Sequence, residues 1–183
     1  MDLTTVLILL MSLSVVRCVQ DECPVRAEDQ MASEVLKLAQ KNALYLMNST
    51  NPQSLNCSSL RVKNADDEQK TAILIVSHGK GLAESELSVV ADGNQVRVKN
   101  GEGEISDGGP VLTVMYTNNA TCAVVVAPDE EEIGLYVANG SAASSNGCCE
   151  TVFKDIITNQ ASESNPKFSD ECIPKKEEEE VFA

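Results

Sequence analysis

The sequence predicts a mainly β protein: an eight-stranded antiparallel barrel with a short N-terminal helix and a second helix packed outside it. Three observations lead to this fold class. Short aliphatic and β-branched runs follow one another closely, hairpin-type turn residues separate them, and several runs carry apolar residues on both faces. Strands this closely spaced favour an antiparallel meander, because a parallel layout needs a helix between successive strands.

Eight segments have the composition of strands. The seven clearest, and a weaker eighth at 57–62, are residues 42–47, 71–77, 86–91, 95–99, 111–117, 121–127 and 133–138. Turn residues stand between several of them, at Asp92-Gly93, Gly108-Gly109, Asn118-Asn119 and the acidic stretch 129–132.

Two segments have helical periodicity. Residues 26–40 place Met31, Val35 and Leu38 on one stripe, which predicts a short helix before the first strand. Residues 149–158 carry a second apolar stripe that includes Val152 and Phe153, and we expect this helix to cover part of the barrel from outside.

The N-terminal residues 1–18 are typical of a secretory signal peptide, cleaved just before Val19. Their apolar run, 6–16, is too short to span a bilayer. We expect one domain over 19–173, followed by an acidic tail over 174–183 whose composition indicates a solvated segment.

Cysteines and sequons agree with export. If Cys18 leaves with the signal peptide, six cysteines remain, an even number that indicates three disulfides. The chain has no CxxC pair and only one histidine, His78, so no metal site is expected. Four glycosylation sequons begin at Asn48, Asn56, Asn119 and Asn139.

The residues also disfavour several function classes. A formal net charge of −14 argues against nucleic acid and anionic membranes as partners. His78 would be the only histidine base, it has the context of a surface turn, and no GxSxG motif surrounds a serine. We therefore expect no catalytic residues, no cofactor and no enzyme activity.

Four stretches carry a resemblance to a known family. They are VLTVMYTNNATCAVVV (111–126), IGLYVANG (133–140), NGCCETVFKDI (146–156) and KFSDEC (167–172). In these stretches the chain resembles the tick salivary lipocalins, the histamine-binding and moubatin-like proteins of blood-feeding ticks. The resemblance implies a lipocalin-type barrel and secretion into saliva, and we expect a monomer. It also implies three disulfides: Cys23–Cys148, Cys57–Cys172 and Cys122–Cys149.

A bridge from Cys122 to the outer helix sets the direction of the neighbouring side chains. Val124 and Val126 would point outward with Cys122, and Ala123, Val125 and Ala127 would face the interior. The resemblance implies that amine-binding members carry an acid after this cysteine and a Glu-Leu-aromatic on the next strand. This chain has Ala123 and Gly134 in place of those acids, and only the aromatic, Tyr136, remains.

We therefore expect a largely aliphatic cavity, with ligand contacts from Tyr45, Tyr116, Ala123, Val125, Gly134 and Tyr136. The leading ligand is a small hydrophobic host mediator, a lipid such as leukotriene or thromboxane. Arg61, Arg97 or tyrosine hydroxyls are candidate partners for a lipid carboxylate, although the alternation around Arg97 favours the surface.

Two other functions stay open. One is biogenic amine binding, with histamine or serotonin as ligand and Glu84 or Glu86 as the acid, although their alternation with Leu87 and Val89 indicates a solvated face. The other is a complement-directed inhibitor that binds a host protein through acidic surface loops. A storage protein with no ligand is a further possibility.

Overall fold

The computed structural model describes residues 23–79, 84–100, 104, 109–127, 132–138 and 147–172. These ranges contain nine strands, two α-helices and two short 3₁₀ turns. The expected signal peptide, the acidic tail and the sequon at Asn139 lie outside the described residues.

Eight antiparallel strands form a closed barrel. Strands β2 to β8 pair in chain order, and β1 pairs with both β8 and β2, which closes the sheet. A two-residue strand, β9, adds to the outer edge of β1. The bounds are β1 Leu44–Ser49, β2 Ser58–Asp66, β3 Thr71–His78, β4 Glu84–Asp92, β5 Gln95–Val98, β6 Val111–Thr117, β7 Cys122–Ala127, β8 Glu132–Ala138 and β9 Asn165–Pro166.

The tight turn predicted at Asp92-Gly93 joins β4 to β5. Asp92 pairs with Gln95, so the loop between the two strands is only Gly93 and Asn94. Gly93 has φ +57°, a backbone conformation that L side chains rarely adopt. The glycine is therefore required by the shortness of this hairpin.

The first helix differs from its prediction. The segment 26–40 divides into a 3₁₀ turn, Ala27–Gln30, and an α-helix, α1, Ala32–Lys41. Met31 stands at the break in extended backbone and is 36% exposed, so it is not part of the buried stripe. The buried residues of α1 are Ala32, Val35, Leu36, Leu38 and Ala39. They pack with inward side chains of the barrel and close one of its ends.

The second helix, α2, Gly147–Asn159, lies against the outside of β6, β7 and β8, as predicted. Its buried residues Val152, Phe153 and Ile157 pack on the outward side chains of β7 and β8. Three disulfides join Cys23 to Cys148, Cys57 to Cys172 and Cys122 to Cys149, the same pairs that the resemblance implies. Adjacent Cys148 and Cys149 thus tie the start of α2 to two separate parts of the chain.

Three bulges change which side chains face the barrel interior. The register shifts between Leu46 and Asn48 in β1, between Val62 and Asn64 in β2, and between Val114 and Tyr116 in β6. A bulge adds one residue to a strand, so the alternation of faces reverses beyond it. Val114 lies opposite inward Val125, whereas Tyr116 lies opposite outward Val124.

Candidate functional site

The open end of the barrel contains a cavity of about 610 Å³. Its walls are mainly inward aliphatic side chains of β2 to β6, among them Leu60, Leu74, Val76, Leu87, Val98 and Leu112. Polar side chains lie around its entrance, including Gln53 and Ser54 from the β1–β2 loop and His78 from the end of β3. The arrangement suits a ligand with an apolar body and a polar end directed toward solvent.

Helix α1 limits the depth of this cavity. Between α1 and the barrel strands only about 10 Å³ of space remains, lined by Val35, Leu36, Val114 and Val125 among others. Ala123 is fully buried and Val125 is 5% exposed, and both belong to the core that α1 completes. Both residues face the interior as the alternation predicts, but they form the packed floor and do not line the cavity.

Gly134 and Tyr136 form a close contact on the inner face of β8. A Cβ atom built on Gly134 would lie 2.7 Å from Tyr136 Cε2 and 3.0 Å from Leu46 Cδ1. The Tyr136 ring therefore occupies the space above Gly134 and lines the cavity. A carboxylate side chain at position 134 would have to displace that ring. The absence of an acid at this position therefore goes together with the position of the Tyr136 ring.

A carboxylate does reach the cavity, from Glu132 at the first position of β8. It lies two residues before Gly134, on the same face of the strand, and pairs with Ala127. The hydroxyls of Ser49 and Ser54 both donate hydrogen bonds to Glu132 Oε1. The sequence pattern places Glu132 in a turn. Its alternation with Gly134 and Tyr136 is the signal that identifies it as an inward residue of β8.

Tyr45 and Tyr116 do not line the cavity, contrary to expectation. Tyr45 alternates with inward Leu44 and Leu46, and its ring packs edge-on against Phe168 with the centroids 5.5 Å apart. Tyr116 belongs to the cluster beneath α2 because of the bulge in β6. Burial raises the pKa of both phenols above the ordinary value of 10.0, which disfavours their ionisation.

The other charged candidates lie outside the barrel. Glu84 faces Arg61 at 3.6 Å (Oε1 to Nη2), and Glu86 faces Lys63 at 3.0 Å (Oε1 to Nζ), all four side chains being half-exposed. Arg97 lies beside Asp92 and donates to Gln95. The surface positions expected for Glu84, Glu86 and Arg97 agree with the structure, and Arg61, a candidate partner for a lipid carboxylate, also lies outside.

His78 is exposed, as expected, but it also lines the cavity entrance. Of the sequon asparagines, Asn56 and Asn119 are exposed in loops. Asn48 is half-buried in β1, and its Oδ1 accepts a hydrogen bond from Ser164. Glycosylation at these positions stays a prediction.

Comparison with solved structures bears on the fold. The chain is similar to the crystal structure of the AM182 serotonin complex, with a TM-score of 0.62 and 20% identity, over 79% of this chain and 93% of that chain. The fold is of the lipocalin type. This lipocalin-type fold combines the closed eight-stranded barrel, the helix outside it and the cavity at one end.

A second similarity is weaker. It is to a bovine odorant binding protein, a deswapped triple mutant, with a TM-score of 0.42 and 15% identity, over 70% of this chain and 93% of that chain. A superposition of this quality supports no inference about the chain. No protein-family model matches the sequence, and no curated protein matches it.

The described ranges contain neither a membrane-spanning helix nor a metal-ligand cluster. No helix there is long and apolar enough to cross a membrane. In the same part of the chain, no group of three or more histidine, cysteine, aspartate or glutamate side chains is arranged to hold a metal ion.

Proposed function

We propose that this protein is a secreted tick salivary lipocalin that captures a small host mediator in its barrel and so suppresses inflammation or haemostasis. The leading ligand class is a flexible acyl-chain lipid of the leukotriene or thromboxane kind. The observation that carries the proposal is the cavity of about 610 Å³, within the range of roughly 300–1,000 Å³ that is usual for small-molecule sites. Binding needs no catalytic group, because capture is stoichiometric.

The walls of the cavity favour an acyl chain over a compact polar ligand. They are apolar over most of their area, and Tyr136 is the single phenylalanine, tyrosine or tryptophan among the lining residues that the structure describes. Each methylene that moves from water into such a cavity contributes about 0.8 kcal/mol, before the cost of immobilising the ligand is subtracted. A long chain therefore gains more from this cavity than a small ring does.

Secretion is supported by the three disulfides, since such bonds persist in oxidising compartments. Tick origin and salivary release rest on the resemblance of the cysteine-containing stretches.

The test is native mass spectrometry of the disulfide-intact protein with a mixture of eicosanoids and biogenic amines. We expect a one-to-one complex with an eicosanoid. Leu87→Trp, which fills the cavity from β4, should weaken it at least tenfold. Glu86→Trp, one residue away on the outer face, is the matched control and should bind normally. No complex with any lipid, or equal binding by both variants, would contradict the proposal.

A biogenic amine is the second candidate, since the Glu132 carboxylate lines the cavity and the AM182 structure contains serotonin. Ala123 and Gly134 supply no acid deeper in the barrel, so we expect histamine and serotonin to bind weakly. A submicromolar dissociation constant for either amine in the same experiment would reverse this ranking.

A further inference from the structure

We infer that Glu132 makes the cavity prefer lipids whose head group is uncharged and donates a hydrogen bond, and bind lipids that end in an ionised carboxylate less tightly. The inference rests on the proposed function and specifies the ligand at the same site. Leukotriene and thromboxane are themselves carboxylic acids, so their amides or hydroxylated esters would be better ligands than the free acids.

Few charged side chains face the cavity within the described ranges. Glu132 is the one acidic residue, and no lysine or arginine is present, among the lining residues that the structure describes. Arg61, Lys63 and Arg97 are on the outer surface beside acidic side chains. A ligand carboxylate beside Glu132 would therefore meet a like charge in a partly desolvated site, with no described cation to offset the repulsion.

Lys167 is the one buried cation within the described ranges, and its ammonium group binds the β1–β2 loop. The residue is only 7% exposed, and Nζ donates a hydrogen bond to the backbone carbonyl of Pro52 at 3.0 Å. It does not line the cavity. Lys167 therefore stabilises the β1–β2 loop and supplies no positive charge to the cavity.

Two serines orient the Glu132 carboxylate. Ser49 and Ser54 both donate to Oε1, and they hold the group in place from the side of β1 and the β1–β2 loop. Ser49 is fully buried, so the hydroxyl of this donor is held in place by the surrounding protein. Oε2 receives no hydrogen bond from any described residue, so one oxygen stays available to a ligand donor.

Glu132 lies nearer the cavity entrance than Tyr136 does. Glu132 begins β8 at the open end, whereas Tyr136 lies two pleats further in. An acyl chain that fills the aliphatic part of the cavity would leave its head group at the level of Glu132. A hydroxyl or amide N–H there can donate to Oε2, and a hydrogen bond to a charged acceptor is stronger than one between neutral groups.

The experiment compares three probes with the same arachidonoyl chain: the ethanolamide, the methyl ester and the free acid, each below its critical micelle concentration at about pH 8, where the ordinary pKa values of aspartate and glutamate leave surface carboxylates ionised. We expect the ethanolamide to bind at least tenfold more tightly than the acid, with the methyl ester between them. Glu132→Gln should raise the affinity of the acid at least tenfold and change that of the methyl ester by less than about twofold.

Glu84→Gln is the matched control. It removes the same formal charge from the outer face of the barrel, so it reports the general repulsion between an acidic protein and an anion. The methyl ester checks that each variant keeps a folded cavity.

The outcomes separate the two proposals. An acid that binds most tightly, or a Glu132→Gln variant no different from Glu84→Gln, overturns the role of Glu132 while leaving lipid capture intact. Failure of all three probes to bind the wild-type protein overturns lipid capture itself.

Discussion

The two ends of the barrel are built from the same strands and differ in what fills them. At the closed end, inward side chains are often small, as at Ala72, Ala91, Ala123 and Ala138, and the apolar side chains of α1 pack among them. At the open end the inward side chains include leucines and valines such as Leu87 and Val98, yet no helix of the described residues enters and a cavity of about 610 Å³ remains. The alternation of apolar residues therefore predicts which side chains face the barrel interior. It does not predict whether other side chains fill that interior or leave a cavity.

The closed end of the sheet contributes mainly to stability, and the open end to ligand binding. Side chains at the closed end have protein neighbours on all sides, so they contribute to the packed core. Side chains at the open end face empty space on one side, and their burial is completed only by a ligand. The same kind of residue should therefore have different energetic importance at the two ends.

The largest expected effect comes from truncating one leucine at each end. Leu44→Ala, at a fully buried position of the closed end, should lower the free energy of unfolding by about 3 kcal/mol, because it creates a cavity in a packed core. Leu87→Ala, in the wall of the open cavity, should cost less than about 1 kcal/mol, because it enlarges a space that already exists. Urea unfolding with the disulfides intact measures both. Equal losses would show that the ends do not differ in packing.

A smaller effect is expected at the boundary between the ends, where Gly134 pairs with Val125. Gly134→Ala should cost about 1 kcal/mol and weaken ligand binding, because the added methyl group pushes the Tyr136 ring into the cavity. The cost in stability should disappear in a Tyr136→Ala background, which a double-mutant cycle measures. Additive losses would mean that the clash is with another neighbour, such as Leu46.

The smallest effect concerns the two outward tyrosines, which belong neither to the core around α1 nor to the cavity wall. Burial raises the pKa of Tyr45, although Arg61 lowers it in part, and burial together with Asp29 raises the pKa of Tyr116. The folded-state pKa of each phenol is thus above the unfolded one. Their contribution to stability is present below about pH 10 and is lost as pH rises through the folded-state pKa.

Unfolding free energies measured from about pH 8 to about pH 11 should therefore fall, and Tyr116→Phe should make the fall shallower. A slope that is the same in the wild type and in this variant would show that Tyr116 ionises as easily in the folded protein as in the unfolded chain.

Much of the fold follows from the sequence because its signals are local. Period-two alternation, hairpin turns and an apolar helical stripe located all eight barrel strands and α2 to within a few residues, as with 111–117 and 149–158. The first helix was less accurate, because the break at Met31 depends on where α1 enters the barrel. This docking is a tertiary effect that periodicity does not encode.

The site was harder to predict, for two physical reasons. A bulge reverses the faces of a strand, and nothing in VLTVMYT marks the bulge before Tyr116. Glu132 follows three acidic residues and reads as part of a solvated turn, although it is the first residue of β8 and faces inward. By contrast, the inward direction of Ala123 and Val125 follows from the outward Cys122, because no bulge interrupts the pairing of β7 with β8.

The position of α1 also constrains the time course of folding. This helix precedes every strand in the chain, yet the surface that receives it is formed by β2, β4 and β6, which are separated by long stretches of sequence. A ten-residue helix is only marginally stable alone in water. Helix α1 therefore leaves the ribosome before the strands but becomes stable late, once most of the chain is synthesised and those strands have come together.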